Sequence, residues 1–377
     1  MEYRISEFAG DLLEDVRNFS LREIRMQAVR IDRQQEPPDE ILDKIREIGL
    51  TGMFLAGDEE TPALTLQEQA ALLGELGNHD AGSAVSVAAT DLAMQPVKIA
   101  GTEEQKQYCS GILKQGGYGA FCLTEDLAGS DISDIRTKAE RWEEGFILNG
   151  SKCMISNSVC ADFMTVFANL DGKLAAFLVP REAEGIVRDE PEQKLGLRTS
   201  QTGSIWFNDV VLPKESLIGR PDQGRELATQ ALNAGRMFCG AIAIGLAERA
   251  LEETIARIRT RTGFDKPLAD NPVIRTKLSE MYMHKEAAKA ELIHALENAD
   301  ENGREDPEVL SSTAKCLASD AAVECTLEAV QLFGGYGYCQ DYPVEKLMRD
   351  AKVFQIIEGA NEIQKMIVGR KLVKENI

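Results

Sequence analysis

Glu358 stands out for its chemistry, because it follows the apolar run Val353-Phe354-Gln355-Ile356-Ile357 and precedes Gly359. A glutamate in such a place, taken alone, reads as a helix-start or exposed carboxylate. The apolar setting points elsewhere: it raises a carboxylate's pKa and strengthens it as a general base, while Gly359 lets the backbone turn closely against a substrate. The stretch Phe121-Cys122-Leu123-Thr124-Glu125-Asp126-Leu127-Ala128-Gly129-Ser130-Asp131 is a Gly-containing turn with hydroxyls that could meet a phosphate. Eight cysteines without CxxC spacing and three histidines give no metal-ligand pattern, and the thiols read as reduced.

These residues need elements to position them, and the chain divides by pattern. Residues 1–118 read as a helical N-terminal domain, with Leu66, Ala70 and Leu73 on one face, Ile41, Ile45 and Ile48 on another, and a break at Pro37-Pro38. Residues 119–220 read as an antiparallel sheet or small barrel. Here Asn149-Gly150 and Asp171-Gly172 are hairpin turns, and Ser204 to Phe207 precedes a further strand, Asp209 to Pro213. Residues 221–377 return to helical spacing at Leu310, Ala314, Leu317 and Ala321, as in a helical bundle. The fold class expected is mixed α and β.

Composition bounds the function. A net charge of -20 with no Lys/Arg runs excludes a nucleic-acid partner. Hydrophobic residues at 44% and charged residues at 28% suit a globular protein with a sizeable core. The N-terminal residues lack signal-peptide and transit-peptide character, and no apolar run approaches membrane-spanning length, so a cytoplasmic location is expected.

Several segments, in order, resemble the acyl-CoA dehydrogenase family. The sharpest is Arg349-Asp350 through Glu358-Gly359-Ala360-Asn361-Glu362-Ile363-Gln364. Phe121 to Asp131 is similar to the family's first flavin-contacting segment, implying that Leu123, Thr124 and Ser130 address FAD. Asn149 to Ser158 is similar to the second, with Met154 in place of the frequent aromatic residue and Ser156 in place of threonine. Asn233-Ala234-Gly235-Arg236 resembles the helix beside the acyl channel and implies substrate contacts from Asn233, Arg236 and Gly359, besides Ser130. Some relatives carry the base at the place of Gly235. Arg261-Thr262-Gly263-Phe264-Asp265 and Gln331-Leu332-Phe333-Gly334-Gly335 resemble segments that reach the distant part of a neighbouring subunit's FAD, implying roles for Arg261, Phe264, Gln331, Gly334 and Gly335. In this comparison Asp265 replaces glycine, Pro272 replaces glutamine, and Ala360 replaces threonine beside Glu362. The usual stretch near residue 55 is replaced by Leu55-Ala56-Gly57-Asp58-Glu59-Glu60.

The resemblance implies FAD-dependent α,β-dehydrogenation of a short or medium acyl-CoA, with Glu358 removing the α proton and hydride passing to flavin N5. It also implies a C-terminal four-helix bundle, a homotetramer or homodimer and an electron-transferring flavoprotein as acceptor. The rivals are a dehydrogenase of an acyl or aminoacyl group on a carrier protein and a non-catalytic flavoprotein scaffold. Leu92, Met94, Gln95 and Lys98 are candidates for the end of the acyl pocket, with Lys98 more simply a solvated lysine.

Overall fold

The computed structural model describes residues 2–55, 62–263, 265–301 and 303–375; the 56–60 stretch and Phe264 named above lie outside them. The chain begins with helices α1 (Glu7–Phe19), α2 (Arg25–Gln34), α3 (Asp39–Glu47), α4 (Leu66–His79), α5 (Ala81–Ala100) and α6 (Glu103–Lys114). Local chemistry sets their limits. Thr65 with Glu68 and Thr102 with Gln105 form capping boxes, and Asp80 accepts from the Ser83 N–H at the start of α5. These bonds satisfy amides that a helix cannot satisfy internally. Ile41 and Ile45 are buried, but Ile48 is 47% exposed because α3 has already ended at Glu47.

The middle sheet comprises β1 (Gly119–Cys122), β2 (Lys138–Trp142), β3 (Gly145–Ser156), β4 (Phe163–Leu170), β5 (Lys173–Pro180), β6 (Ile186–Arg188), β7 (Thr202–Pro213) and β8 (Leu217–Ile218). Its order is β6-β7-β3-β2-β4-β5-β8, with β1 beside β4. Asp171 and Gly172, at φ 53° and 80°, make the hairpin turn between β4 and β5 as the sequence indicates. Asn149-Gly150 does not turn. Strand β3 continues through it, and the register with β7 shifts between Leu148 and Gly150. The Asn149 amide donates to Asp209 Oδ1 at 2.9 Å and accepts from the Asp209 N–H at 2.8 Å, so both strands bulge together and stay paired. Ser204 to Pro213 is therefore part of one strand rather than two. Nor is pairing wholly antiparallel: β4 runs parallel to β1 and β2.

Helix α7 (Gly224–Thr260), the ribbon β9 (Thr262–Gly263) and β10 (Lys266–Pro267), and helices α8 (Pro272–Asp300), α9 (Pro307–Phe333), α10 (Val344–Ala351) and α11 (Asn361–Glu375) complete the chain. Helices α7, α8, α9 and α11 form the bundle. Leu310, Ala314 and Ala321 face its core, whereas Leu317 is 46% exposed. One apolar core joins α4 to the bundle through Leu73, Leu76, Ala241, Leu292 and Ala318; another fills the sheet; a third links α5, the sheet and α7 through Met94, Leu123, Phe163 and Ala228. Helix α5 is the joint of this arrangement. Its Ala93 carbonyl accepts from Thr165 Oγ1 at 2.6 Å and its Ser86 carbonyl accepts from Asn157 Nδ2 at 2.8 Å, which fixes it to the sheet. Among the described residues, no helix is long and apolar enough to cross a membrane.

Candidate active site

Glu358 sits in the turn that leads into α11, at φ 55°, followed by Gly359 at φ 88°. A left-handed glutamate costs on the order of 1–3 kcal/mol and needs its surroundings to hold it. They do so through main-chain carbonyls. Arg236 Nε donates to Glu358 O at 3.3 Å, Gln364 Nε2 donates to the same oxygen at 3.1 Å, and Lys315 Nζ donates to Gly359 O at 2.9 Å. Ser312 Oγ in turn donates to Gln364 Oε1 at 2.7 Å.

The carboxylate is left free. Glu358 Oε2 is buried without a hydrogen-bond partner among the described residues. Burial pushes its pKa up to about 7, with Arg236 and Lys315 pulling the other way. A base with that value is divided between its two forms at neutral pH, where proton abstraction is most efficient. A Cβ on Gly235 would lie 2.6 Å from Oε2 and 3.0 Å from Leu92 Cδ1, so α7 can approach the carboxylate only with glycine at this place. The Glu358 carboxylate therefore lies against α7, with Leu92 of α5 close by.

Arg236 is 5% exposed, and its Nη1 donates to Asn233 Oδ1 at 2.9 Å. It stands beside Glu358, bonded to a carbonyl rather than to the carboxylate. Asn233 acts behind it and also accepts from Ser311 Oγ at 3.3 Å. Arg349 and Asp350 are a structural clamp: Arg349 pairs with Asp32 at 2.6 Å, and Asp350 accepts from the Leu197 N–H at 2.6 Å and from Lys346 at 2.6 Å. Lys346 also pairs with Asp80 at 2.9 Å, so this buried group ties α4 and α10 to the loop before β7.

The two segments likened to flavin sites lie together. Lys152 is buried, and its Nζ donates to Leu123 O at 3.0 Å and to Glu125 Oε1 at 2.7 Å. Glu125 also accepts from the Arg136 and Thr137 N–H groups, at 2.7 and 3.0 Å. A main-chain bond from the Cys153 N–H to Thr124 O, at 3.0 Å, completes the tie. Burial pushes the Lys152 pKa down, and Glu125 opposes that shift. This pair fastens one segment to the other. Between Lys152 and Ile155 the register of β3 shifts, and Met154, at φ 55°, is thrown outward to 61% exposure. Ser156 and Thr124 are half-buried beside it and Ser130 is exposed. A soft thioether projecting from a bulge, with no part in any core, fits one face of a flavin ring.

A second group gathers at the far end of the bundle. The Arg257 guanidinium lies 4.8 Å from the Tyr336 ring centre and 5.6 Å from that of Phe333, which brings the C-terminal ends of α7 and α9 together. Arg261, Gln331, Gly334 and Gly335 are exposed there, and a Cβ on either glycine would meet nothing within 4 Å. That open backbone fits a phosphate approaching from outside the chain. Asp265 is exposed at the ribbon turn with φ 62°, a conformation that aspartate tolerates better than most residues. Lys315 and Gly334 are separated by about 28 Å of α9, so within one chain these residues are remote from Glu358. Ala360 is half-buried and Glu362 exposed at the start of α11, close in sequence to Glu358.

On α5, only part of the expected pocket lining holds. Leu92 faces Gly235, but Met94 is a core residue at 4% exposure. Gln95 and Lys98 both bond to the buried Asp91, at 2.7 and 2.5 Å. Lys98 is thus ion-paired rather than simply solvated, because Asp91 needs a partner in its buried place. Sequence reading missed Lys315, Gln364 and the Lys152–Glu125 pair.

Family models for the acyl-CoA dehydrogenase N-terminal, middle and C-terminal domains match residues 7–115, 120–210 and 222–373. A short-chain specific acyl-CoA dehydrogenase of Megasphaera elsdenii is 35% identical over 388 residues, covering 99% of this chain and 100% of that protein. The structure of butyryl-CoA dehydrogenase from the same organism superposes with a TM-score of 0.94 at 33% identity, covering 99% of this chain and 100% of the other. The prolyl acyl carrier protein oxidase AnaB gives a TM-score of 0.91 at 26% identity, with 98% and 100% coverage. The chain belongs to the acyl-CoA dehydrogenase family and is an oxidoreductase with FAD as its cofactor.

Proposed function

We propose that this protein removes the α proton of a short or medium acyl-CoA thioester with Glu358 as the base. The observation that carries this reading is the buried, unbonded Oε2 of Glu358, facing Gly235 and Leu92 with a pKa of about 7. Arg236, Gln364 and Lys315 occupy only the main-chain carbonyls, so they orient the turn and leave the carboxylate's lone pairs for the substrate. The Glu358 N–H is the donor we assign to the thioester carbonyl, where it would stabilise enolate charge as the proton leaves. Burial between α5 and α7 keeps bulk water from the base and preserves its strength. Asn233 supports Arg236, Gly359 lets the turn close on the substrate, and the exposed Ser130 is assigned to the substrate as well.

Leu123, Thr124, Ser130, Met154, Ser156, Ala360 and Glu362 are the residues assigned to FAD on the side of the base. FAD supplies the acceptor for the β hydride when bound. Arg261, Phe264, Gln331, Gly334 and Gly335 are assigned to the distant part of the cofactor in a second copy, since the described ones lie far along α9 from this chain's own base. A homodimer or homotetramer follows from that division. An electron-transferring flavoprotein is the acceptor we assign from family membership, and the free cysteines suit the cytoplasm.

Likeness to a carrier-protein oxidase supports a second substrate form, an acyl group on a carrier protein. Steady-state turnover with butyryl-, octanoyl- and palmitoyl-CoA, and with a carrier-linked butyryl group, tests the reading. Turnover fastest with butyryl- or octanoyl-CoA supports it; turnover confined to the carrier-linked group would replace the CoA substrate.

A further inference from the structure

Lys315 is 0% exposed in the middle of α9. Its ammonium donates to Gly359 O at 2.9 Å and to Asn361 Oδ1 at 2.8 Å. Asn361 is itself fixed, donating to Ser319 Oγ at 2.9 Å and to Asp320 Oδ1 at 2.9 Å. Both acceptors of Lys315 are neutral oxygens. A glutamine at this place could donate to such oxygens without bringing a buried charge, which is costly unless something opposite compensates it.

The surroundings of this charge are specific. The groups whose charges bear on Lys315 are Cys239, Cys316, Glu358 and Arg236. Burial pushes the Cys239 thiol up to about 12 and the Cys316 thiol upward as well, so both are neutral near pH 7. Arg236 carries the same sign as Lys315, and Glu308 is a further carboxylate facing Arg236. Glu358 is then the anion in this set on which the Lys315 charge acts. The two cations divide the work by geometry: Arg236 holds the carbonyl of Glu358 and Lys315 that of Gly359. Neither donates to Oε2, so the field of both reaches the carboxylate without occupying it.

We propose that Lys315 is a positioning residue for the reaction, holding the Glu358-Gly359 turn from behind and supplying positive charge that keeps Glu358 ionised enough to act as a base at neutral pH. This rests on the reading of Glu358 as the base. A nearby opposite charge favours the ionised form, so loss of the Lys315 charge moves the Glu358 pKa further up.

The test compares Lys315→Gln, Lys315→Met and Lys315→Arg with the wild-type holoenzyme, after FAD content and circular dichroism have been matched. The readouts are the pH profile of kcat/KM and the rate of α-proton exchange of butyryl-CoA in deuterated water. For Lys315→Gln, the acidic limb of both profiles moves up by about one pH unit, giving about a fivefold loss near pH 7 that recovers in alkaline buffer. Lys315→Arg keeps the wild-type limb. If Lys315→Gln does not fold, Lys315→Met, of similar length and apolar, carries the same readout. Unchanged activity, or a loss of equal size at every pH, would overturn the proposal and leave Lys315 a structural residue. Glu358→Gln separates the two readings: retained exchange in that variant sinks the base itself, whereas lost exchange with an unshifted Lys315→Gln profile sinks only the role of Lys315.

Discussion

Replacing Glu358 with glutamine has opposite effects on activity and on stability, and both follow from one number. The carboxyl is raised from 4.5 to about 7 by burial. A shift of about 2.5 units corresponds to about 3 kcal/mol of differential interaction between the two protonation states. The folded-state pKa lies above the unfolded one, so the neutral carboxyl is favoured by folding below about pH 4.5, and that advantage is lost as pH rises through about 7. Above that range the wild-type fold holds an ionised carboxylate that glutamine does not reproduce. Glu358→Gln is therefore as stable as wild type near pH 4 and more stable by about 3 kcal/mol near pH 9. Unfolding entropy scales with length, so for this chain the difference is about 4 °C in Tm. Scanning calorimetry of the substrate-free enzyme between those pH values measures it, while turnover falls about a thousandfold. A Tm difference that does not change with pH, or a variant less stable than wild type in alkaline buffer, would refute the assignment of a buried, strained carboxylate.

Other outcomes follow from the same geometry. The wild-type kcat/KM rises with pH and reaches half its plateau near pH 7, the value of the free base, in a steady-state profile. Gly235→Ala places a methyl group 2.6 Å from Glu358 Oε2, and kcat falls about a hundredfold with the fold retained, as read by stopped-flow kinetics and circular dichroism. Lys152→Met leaves Glu125 buried without its cation and destabilises the protein by about 3–5 kcal/mol in urea titrations. Because Lys152 fastens together the two segments assigned to FAD, the same variant is expected to lose FAD on gel filtration, and Glu125→Gln beside it recovers part of the stability.

Much of this site was legible because its residues sit in short local segments. Glu358 announces itself through the apolar run before it, and Gly235-Arg236, 122 residues earlier on α7, is marked by its own short segment. Buried lysines whose partners lie on other elements were not legible in that way. Lys315 belongs to the buried stripe of α9, at helical spacing from Ser311, Ala318, Ser319 and Ala322, and a lysine in such a stripe is a detectable signal. Lys152 is hidden by the bulge that follows it, which breaks the alternation on which strand reading depends. The same cause explains Asn149-Gly150: the pair favours a turn locally, but its bonds to Asp209 let a long strand continue. Lys98 reads as solvated until folding brings it to the buried Asp91 seven residues before it on α5.

Anaerobic mixing of the FAD-loaded enzyme with butyryl-CoA tests the central claim most directly, with oxidised-flavin absorbance and the enoyl product followed together. The wild-type enzyme is expected to lose that absorbance and form the enoyl thioester, while Glu358→Gln still binds the substrate but keeps its flavin oxidised. Bleaching of Glu358→Gln at the wild-type rate would contradict the account.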